Sequence, residues 1–448
     1  MTTTNASAGR QAVVLGTGLT GLSCARHLAA EGWRLCVMDT RADPPGLEAL
    51  RRAVPEAEVR VGGFDEQRVL GADLLAVSPG IAADEPLVAR ARAAGVDVAG
   101  DIELFARAVR GPVAGVTGTN GKSTVTSLLG AMLRAGGLDV AVGGNLGEPA
   151  LDLLPRAPRD GFVLELSSFQ LDLVTRLPLA CATILNLSAD HLDRYGSMAA
   201  YAASKQRIYR QAGTAVYDAD DPRIVPRPDF AGRRVVLRSR AAPGDGEWGL
   251  AGAGAATELR GPTGSLLRAG DLPVAGRHNA FNVLAALATA DALGVPPDAA
   301  RTALADFAPL PHRCIPVAEI DGVRWVDDSK ATNVGACRAA LRGLDDGERR
   351  LVLVAGGLGK GADFGELRDA VATRVHAMVL LGRDAEQLAR ALGDLCHHEF
   401  ARDMEHAVAT ARALARPGDT VVLAPACASF DQFASYAARG DAFTAAVR

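Results

Sequence analysis

The stretch Gly115–Leu133, GVTGTNGKSTVTSLLGAML, constrains the fold more than any other part of the chain. An apolar, β-branched run from Pro112 to Thr117 reads as a strand and ends in a Gly-rich turn. The turn passes directly into a segment with apolar residues at Val125, Leu128, Leu129 and Leu133, the spacing of a helix. A strand, a Gly-rich turn and a helix N-terminus in that order make an anion site. The free backbone N–H groups face the turn, and the helix dipole favours negative charge there. Lys122 adds a mobile cation for β/γ-phosphates, and Ser123 or Thr124 offers a hydroxyl to Mg²⁺. The strict pattern has Gly six residues before the lysine; Val116 stands there, so the loop is the tighter form TGTNGKST. An ATP site on a parallel α/β sheet is expected.

At 448 residues the chain should hold two or three domains, and its 48% hydrophobic content is ample for several cores. A net charge of −4 leaves no basic footprint for nucleic acid or a membrane surface. Seven cysteines form no C-x-x-C pair, which points to a reducing cytosol without structural zinc. The start, MTTTNASAGR, lacks an apolar secretion signal, and no apolar run approaches the roughly 20 residues of a membrane span. A cytoplasmic location is expected. Of 48 basic residues only four are lysines: Lys122, Lys205, Lys330 and Lys360. Arginine cannot replace lysine where a compact ammonium or a deprotonable amine is needed, so these four are candidate site residues.

In chain order, the strand QAVVLG is followed by G-T-G-L-T-G, a helix through Ala30, and a second strand ending at Asp39. This matches the dinucleotide fingerprint, although any nucleotide diphosphate can sit on such a turn. A strand ending at Ser78, a helix from Glu85 to Ala94 and a short strand at Asp97–Gly100 complete a small Rossmann-like unit closing near residue 102. Beyond the phosphate loop, strand FVLELSS carries Glu165. A strand from Ala182 to Asn186 leads to a loop with Asp190, His191 and Asp193, and the next helix carries Lys205. Groups just beyond strand C-termini sit where open α/β sheets bind ligands, and oxygens plus an imidazole suit Mg²⁺. Residues 238–272 read as hairpins or surface loops. A strong helix follows over 276–294, with His278, Asn279 and Asn282 at its start. A boundary near Leu310 opens a doubly wound unit whose loops hold DDSKATN, GGLGKGADF and APACASFDQF. His397 and His398 lack such company and read as exposed.

The runs GTGLTGLSC, MDTR, SPG, TGTNGKSTVTSLL, GGNLGEPAL, ELSSFQLD, DHLDRY, YAASKQRIY, RHNAFN, LPHR, DDSKATN, GGLGKGADF and PACASFDQF resemble the Mur ligases. These are the ATP-dependent amino-acid-adding enzymes of peptidoglycan synthesis. The similarity covers nearly the whole chain after the first ten residues. ELSSFQL and DSKATN with PACAS point to the branch that adds D-glutamate; the phosphate loop and DHLDRY are common to the family.

The resemblance implies three α/β domains. Residues 1–102 would be a Rossmann-like domain for a UDP-linked substrate, 103–309 a P-loop ATPase-like domain with a parallel sheet, and 310–448 a Rossmann-like domain for the amino acid. It implies that Lys122, Glu165, His191 and Lys205 carry the catalysis. Gly118, Thr119, Asn120, Gly121, Lys122, Ser123 and Thr124 would hold ATP phosphates, with Asn279, Arg313 and Asp328 on adenine, γ-phosphate and ribose. Gly18, Leu19, Thr20, Gly21, Asp39, Thr40, Ser78, Asn145 and Ser167 would bind the UDP substrate. Lys330, Thr332, Lys360, Ser429 and Phe430 would bind D-glutamate. Ser123 and Glu165 would hold one Mg²⁺, His191 and a carbamylated Lys205 a second. The implied partners are ATP, UDP-N-acetylmuramoyl-L-alanine and D-glutamate, acting on a monomer through an acyl phosphate. Ala424, Phe430 and Pro309 depart from the usual Ser, Leu and Gly. The alternatives are a ligase of the same family or of folylpolyglutamate type with another amino-acid specificity, and a nicotinamide oxidoreductase. The last explains G-x-G-x-x-G and Asp39 but leaves the phosphate loop and the lysines idle.

Overall fold

The computed structural model describes residues 9–156, 159–252, 254–272, 276–344 and 349–448. Three sheets organise them, each covered by helices, which matches the α/β expectation. The first has five parallel strands in the order Glu58–Val61, Arg34–Asp39, Gln11–Leu15, Leu74–Val77, Asp97–Ala99. Its three inner strands are buried almost throughout because helices cover both faces, so their sequences are continuous apolar runs. The strand order reverses at Gln11–Leu15, which opens a crevice at the C-terminal ends beside Gly16, Asp39 and Ser78.

The second sheet has nine strands, with Val113–Thr117 between Leu179–Ile184 and Gly161–Glu165, all three parallel. The phosphate loop leaves the C-terminal end of this inner strand. Helix Lys122–Ala135 buries Val125, Leu128, Leu129, Met132 and Leu133 in a core shared with helix Arg277–Ala292. The latter is buried without a break from Ala280 to Ala290, as a helix held between a sheet and other helices must be.

Residues 238–272 are more integrated than surface loops. Strands Trp248–Ala251, Glu258–Gly261 and Gly264–Arg268 continue the second sheet, the last two as an antiparallel hairpin. Trp248, Leu250 and Leu259 sink into the core, and that burial outweighs the turn-rich composition. The third sheet has six strands, with Val323–Asp327, Thr420–Leu423, Leu351–Gly356 and Val375–Leu381 running parallel at its centre. Ile315–Ile320 adds an antiparallel edge and His397–Ala401 a parallel one. His397 is exposed on that edge strand, where its Nε2 lies 3.1 Å from Glu399.

Helix Asp101–Ala108 joins the first two units. Phe105 packs edge-on against Phe162 at 5.3 Å, and Glu103 accepts the backbone N–H groups of Thr175 and Arg176 at 2.8 and 2.9 Å.

Candidate active site

The phosphate loop is shaped by glycine and pinned by an asparagine. Gly121 has φ 82°, and a Cβ there would lie 2.3 Å from Asn282 Oδ1, so only glycine fits. Asn186, just past the neighbouring strand, accepts from Thr119 N through its carbonyl at 3.0 Å and from Asn120 N through Oδ1 at 2.9 Å. Lys122 folds back to donate from Nζ to the Gly118 and Thr119 carbonyls at 3.0 and 2.9 Å. Burial lowers its pKa. Thus the loop's own carbonyls hold its cation at the helix N-terminus.

All four lysines line one cleft of about 480 Å³, together with Glu165, Asp190, His191, Asn279, Arg313 and Asp328. Glu165 ends the strand beside the phosphate loop. Its Oε1 accepts from Asn145 Nδ2 at 2.6 Å, while its buried Oε2 has no partner among the described residues. His191 adopts a left-handed φ of 55° and packs its ring edge-on to Phe169 at 4.7 Å. Burial is the main cause that pushes its pKa down to about 4, so the imidazole is neutral at pH 7. Lys205 is 1% exposed, with Nζ 3.5 Å from Thr117 Oγ1 and 4.7 Å above the Tyr201 ring. Desolvation drives its amine far below the usual lysine range. Among the described residues, no three His, Cys, Asp or Glu side chains cluster as a ready metal cage. A cation here would draw on the Ser123 hydroxyl, the free oxygen of Glu165 and the neutral His191. Those donors suit Mg²⁺, which retains several waters.

The third unit reaches this cleft through its strand-end loops. Lys360 Nζ lies 3.1 Å from Asp190 Oδ1. Asn333 and Asn120 exchange amide hydrogen bonds at 3.1 and 3.2 Å, and Asn333 also donates to Asp190 Oδ2 at 3.1 Å. Lys330 Nζ sits 3.9 Å over the Tyr436 ring, and burial lowers its pKa to about 8. Thr332, Ser429 and Phe430 line the same space, Phe430 being 71% exposed.

A second cavity, of about 600 Å³, opens at the switch point of the first sheet. It is lined by Gly18, Leu19, Thr20, Asp39, Thr40, Arg41 and Ser78, and also by Asn145. Asn145 therefore borders both cavities. Asp39 already accepts from Thr17 N and Oγ1 and from Arg41 N, Nε and Nη2. The Arg41 guanidinium is the main cause that holds its carboxyl well below the usual range. The Ser78 hydroxyl is buried there with no partner among the described residues.

Gly21 and Gly118 do not line the two cavities, and Ser167 lines the first beside Asn145. Gly21 is packed against the turn rather than facing the cavity; a Cβ there would meet the Gly16 carbonyl at 1.8 Å. Gly118 is buried under Leu185 and Asn186. Ser167 lines the phosphate-loop cleft, where it caps a short helix by accepting from Gln170 N at 3.2 Å. Tyr201, Tyr436 and Asn333 join the cleft without having been singled out for a ligand, while Asn282 stands there as an amide at a helix start that could read an adenine edge. Asn282 lies one turn beyond Asn279 on a helix pointing at the phosphate loop, a signal the sequence does carry. Tyr436 opens the last helix, with no motif to mark it.

Three family descriptions match the chain in order: Mur ligase MurD-like, N-terminal domain over residues 10–100, Mur ligase middle domain over 116–290, and Mur ligase, glutamate ligase domain over 312–427. A UDP-N-acetylmuramoylalanine–D-glutamate ligase of Nitrosococcus oceani is 49% identical over 438 residues, spanning 97% of this chain and 96% of that protein. The chain belongs to the Mur ligase family. A relative of the same name from Legionella pneumophila is 43% identical over 97% of this chain and 98% of its own length. The UDP-N-acetylmuramate-alanine ligase of Thermotoga maritima shares the fold, with a TM-score of 0.60 at 20% identity over 92% of this chain and 94% of its own. The folylpolyglutamate synthase of Mycobacterium tuberculosis does so at 0.59 and 19% identity, over 75% of this chain and 91% of its own. Mur ligases are ATP-dependent, which accords with the phosphate loop. No helix among the described residues is long and apolar enough to cross a membrane.

Proposed function

We propose that this Mur ligase uses ATP to join D-glutamate to UDP-N-acetylmuramoyl-L-alanine. One observation carries the reading: every lysine of an arginine-rich chain meets Glu165 and His191 in a single cleft, and Asn145 connects that cleft to the switch-point cavity. A substrate with its nucleotide in the second cavity and its carboxylate in the first would pass Asn145. The curated relatives named as D-glutamate ligases match along almost the whole chain, third unit included.

A carboxylate resists an amine at neutral pH, so it must be activated. The γ-phosphoryl group of ATP moves to the alanyl carboxylate, giving ADP and an acyl phosphate. The D-glutamate amine then attacks the acyl carbon, loses a proton, and phosphate leaves from the tetrahedral intermediate. Lys122, released from its two carbonyls, and Arg313 offset charge on the transferring group; losing one such contact costs about 10²–10³ in rate. Asn145 orients the acceptor carboxylate beside Glu165. Lys330, Thr332, Lys360 and Ser429 hold the incoming amino acid. Closure of the third unit keeps water from the acyl phosphate.

Ser123 and Glu165 would hold one Mg²⁺; His191 and Lys205 would hold another, Lys205 after carbamylation. These ions supply charge neutralisation. The buried amine of Lys205, whose pKa desolvation lowers well below the usual lysine range, fits that modification, since only a neutral amine adds CO₂ and a bare ammonium would repel a cation.

The test is ATP-dependent phosphate release with UDP-N-acetylmuramoyl-L-alanine and a panel of amino acids. Release should require D-glutamate, with L-glutamate, L-alanine and L-lysine near background. Equal turnover with L-lysine or diaminopimelate would overturn the assignment within the family, and tight NAD binding lost in Asp39→Ala would favour the oxidoreductase.

A further inference from the structure

Behind the amino-acid side of the cleft lies a buried cation that the chemistry above does not use. Arg439, in the last helix, is 2% exposed and has no carboxylate within 4 Å among the described residues. Its guanidinium instead reaches three separate loops. Nε donates to Ser329 Oγ at 3.0 Å and Nη2 to the Ser329 carbonyl at 2.9 Å. Nη1 donates to the Cys427 carbonyl at 3.0 Å and to that of Gly356 at 3.4 Å. Ser329 closes the arrangement by donating from Oγ to the Tyr436 carbonyl at 2.7 Å.

Each loop carries a residue assigned above to the amino acid: Ser329 precedes Lys330, Gly356 opens the loop to Lys360, and Cys427 lies two before Ser429. The second and third loops contain left-handed backbone. Ala426 and Lys360 have left-handed φ values of 58° and 52°, and Gly356 has 125°. The second and third loops are tied by reciprocal Leu358–Ala428 backbone bonds at 2.9 Å, but the Ser329 loop is outside that pairing. Only a planar fork with several donors in fixed directions spans all of them; an ammonium on a flexible stem does not.

We infer that Arg439 is the positioning residue of the amino-acid site, setting the relative placement of the loops that bear Lys330, Lys360 and Ser429. Its second effect is electrostatic. With no carboxylate within 4 Å among the described residues, the guanidinium adds positive potential under a pocket meant for a dicarboxylate, offset in part by the more distant Asp327 and Asp431. The inference rests on the D-glutamate reading of this pocket.

The test compares wild type, Arg439→Lys and Arg439→Met by steady-state kinetics and by acyl-phosphate formation, trapped by reduction in the absence of amino acid. KM for D-glutamate should rise at least ~30-fold in both variants. KM for ATP and for the UDP substrate, and acyl-phosphate formation, should stay within about threefold of wild type. An unchanged D-glutamate KM in a folded variant, or equal losses for all three substrates, would overturn the proposal. Should both variants fail to fold, Ser329→Ala removes the Nε acceptor and the bond to the Tyr436 carbonyl but leaves the guanidinium its three carbonyl partners. It should raise KM for D-glutamate about 3- to 10-fold, and an unchanged value overturns the inference. A wild type indifferent to D-glutamate would instead refute the underlying reading.

Discussion

At the scale of single residues, burial decides which groups are charged. On the proposed carbamate, Lys205 works only if its amine can lose its proton, which the guanidinium of arginine cannot do. Lys205→Arg should therefore fold but lose at least about 10³ in turnover. Lys205→Ala should be equally inactive yet partly restored by millimolar acetate, whose oxygens can stand in for a carbamate. Near-normal turnover of the arginine variant would refute the carbamate. Burial also pushes His278 down to about 4, alongside His191. An unfolded histidine titrates near 6.5, so between about pH 6.5 and 4 the native state binds fewer protons than the unfolded chain. This contribution is full above pH 6.5 and is lost as pH falls toward 4. His278→Gln should accordingly raise stability relative to wild type by roughly 1–2 kcal/mol at pH 5 and change it far less at pH 8. Thermal unfolding at the two pH values reads this directly. Asp39 accepts five hydrogen bonds within its own unit. Asp39→Ala should weaken UDP-substrate binding at least ~10-fold in calorimetry, lower the melting temperature, and leave ATP affinity unchanged.

At the scale of elements, the turn between strand Val113–Thr117 and helix Lys122–Ala135 depends on two neighbours that are distant in sequence. Asn186 fixes the loop backbone, and Asn282 fills the space beside Gly121. Gly121→Ala combines a positive φ with a side chain driven into Asn282. That costs about 1 kcal/mol in the backbone before any clash is counted. ATP KM should rise at least ~10-fold, with binding of the UDP substrate to the first unit unaltered. A variant with wild-type ATP KM would show that the loop relaxes freely.

At the scale of the whole molecule, the third unit is latched onto the second by the Asn120–Asn333 pair and the Asp190–Lys360 ion pair. Hydrogen bonds of this sort contribute about 1 kcal/mol each, enough to bias a domain equilibrium without locking it. Asn333→Ala should favour an open arrangement, seen as a larger radius of gyration in solution scattering that shrinks when nucleotide and substrates are added. KM for D-glutamate should rise about 3- to 10-fold. Scattering identical to wild type would mean that the latch carries no weight.

Much of this was legible in the chain because some constraints are local. A strand, a Gly-rich turn and a helix can be read from periodicity and glycine spacing, since hydrogen bonding and sterics within a few residues dictate them. The scarcity of lysine singled out four cleft residues for a chemical reason that needs no coordinates. A hairpin within 238–272 was legible, but not its joining of the second sheet, because the rest of that sheet and the helix that packs with Trp248 lie outside the segment. Nor were Tyr436 beneath Lys330, the amide pair between Asn120 and Asn333, or Arg439 behind three loops. Each joins residues from 100 to more than 200 positions apart, or from an element bearing no motif, and only packing brings them together. Local sequence determined the types of element and the chemistry available. Tertiary structure alone decided which groups lose water, and with it their charge.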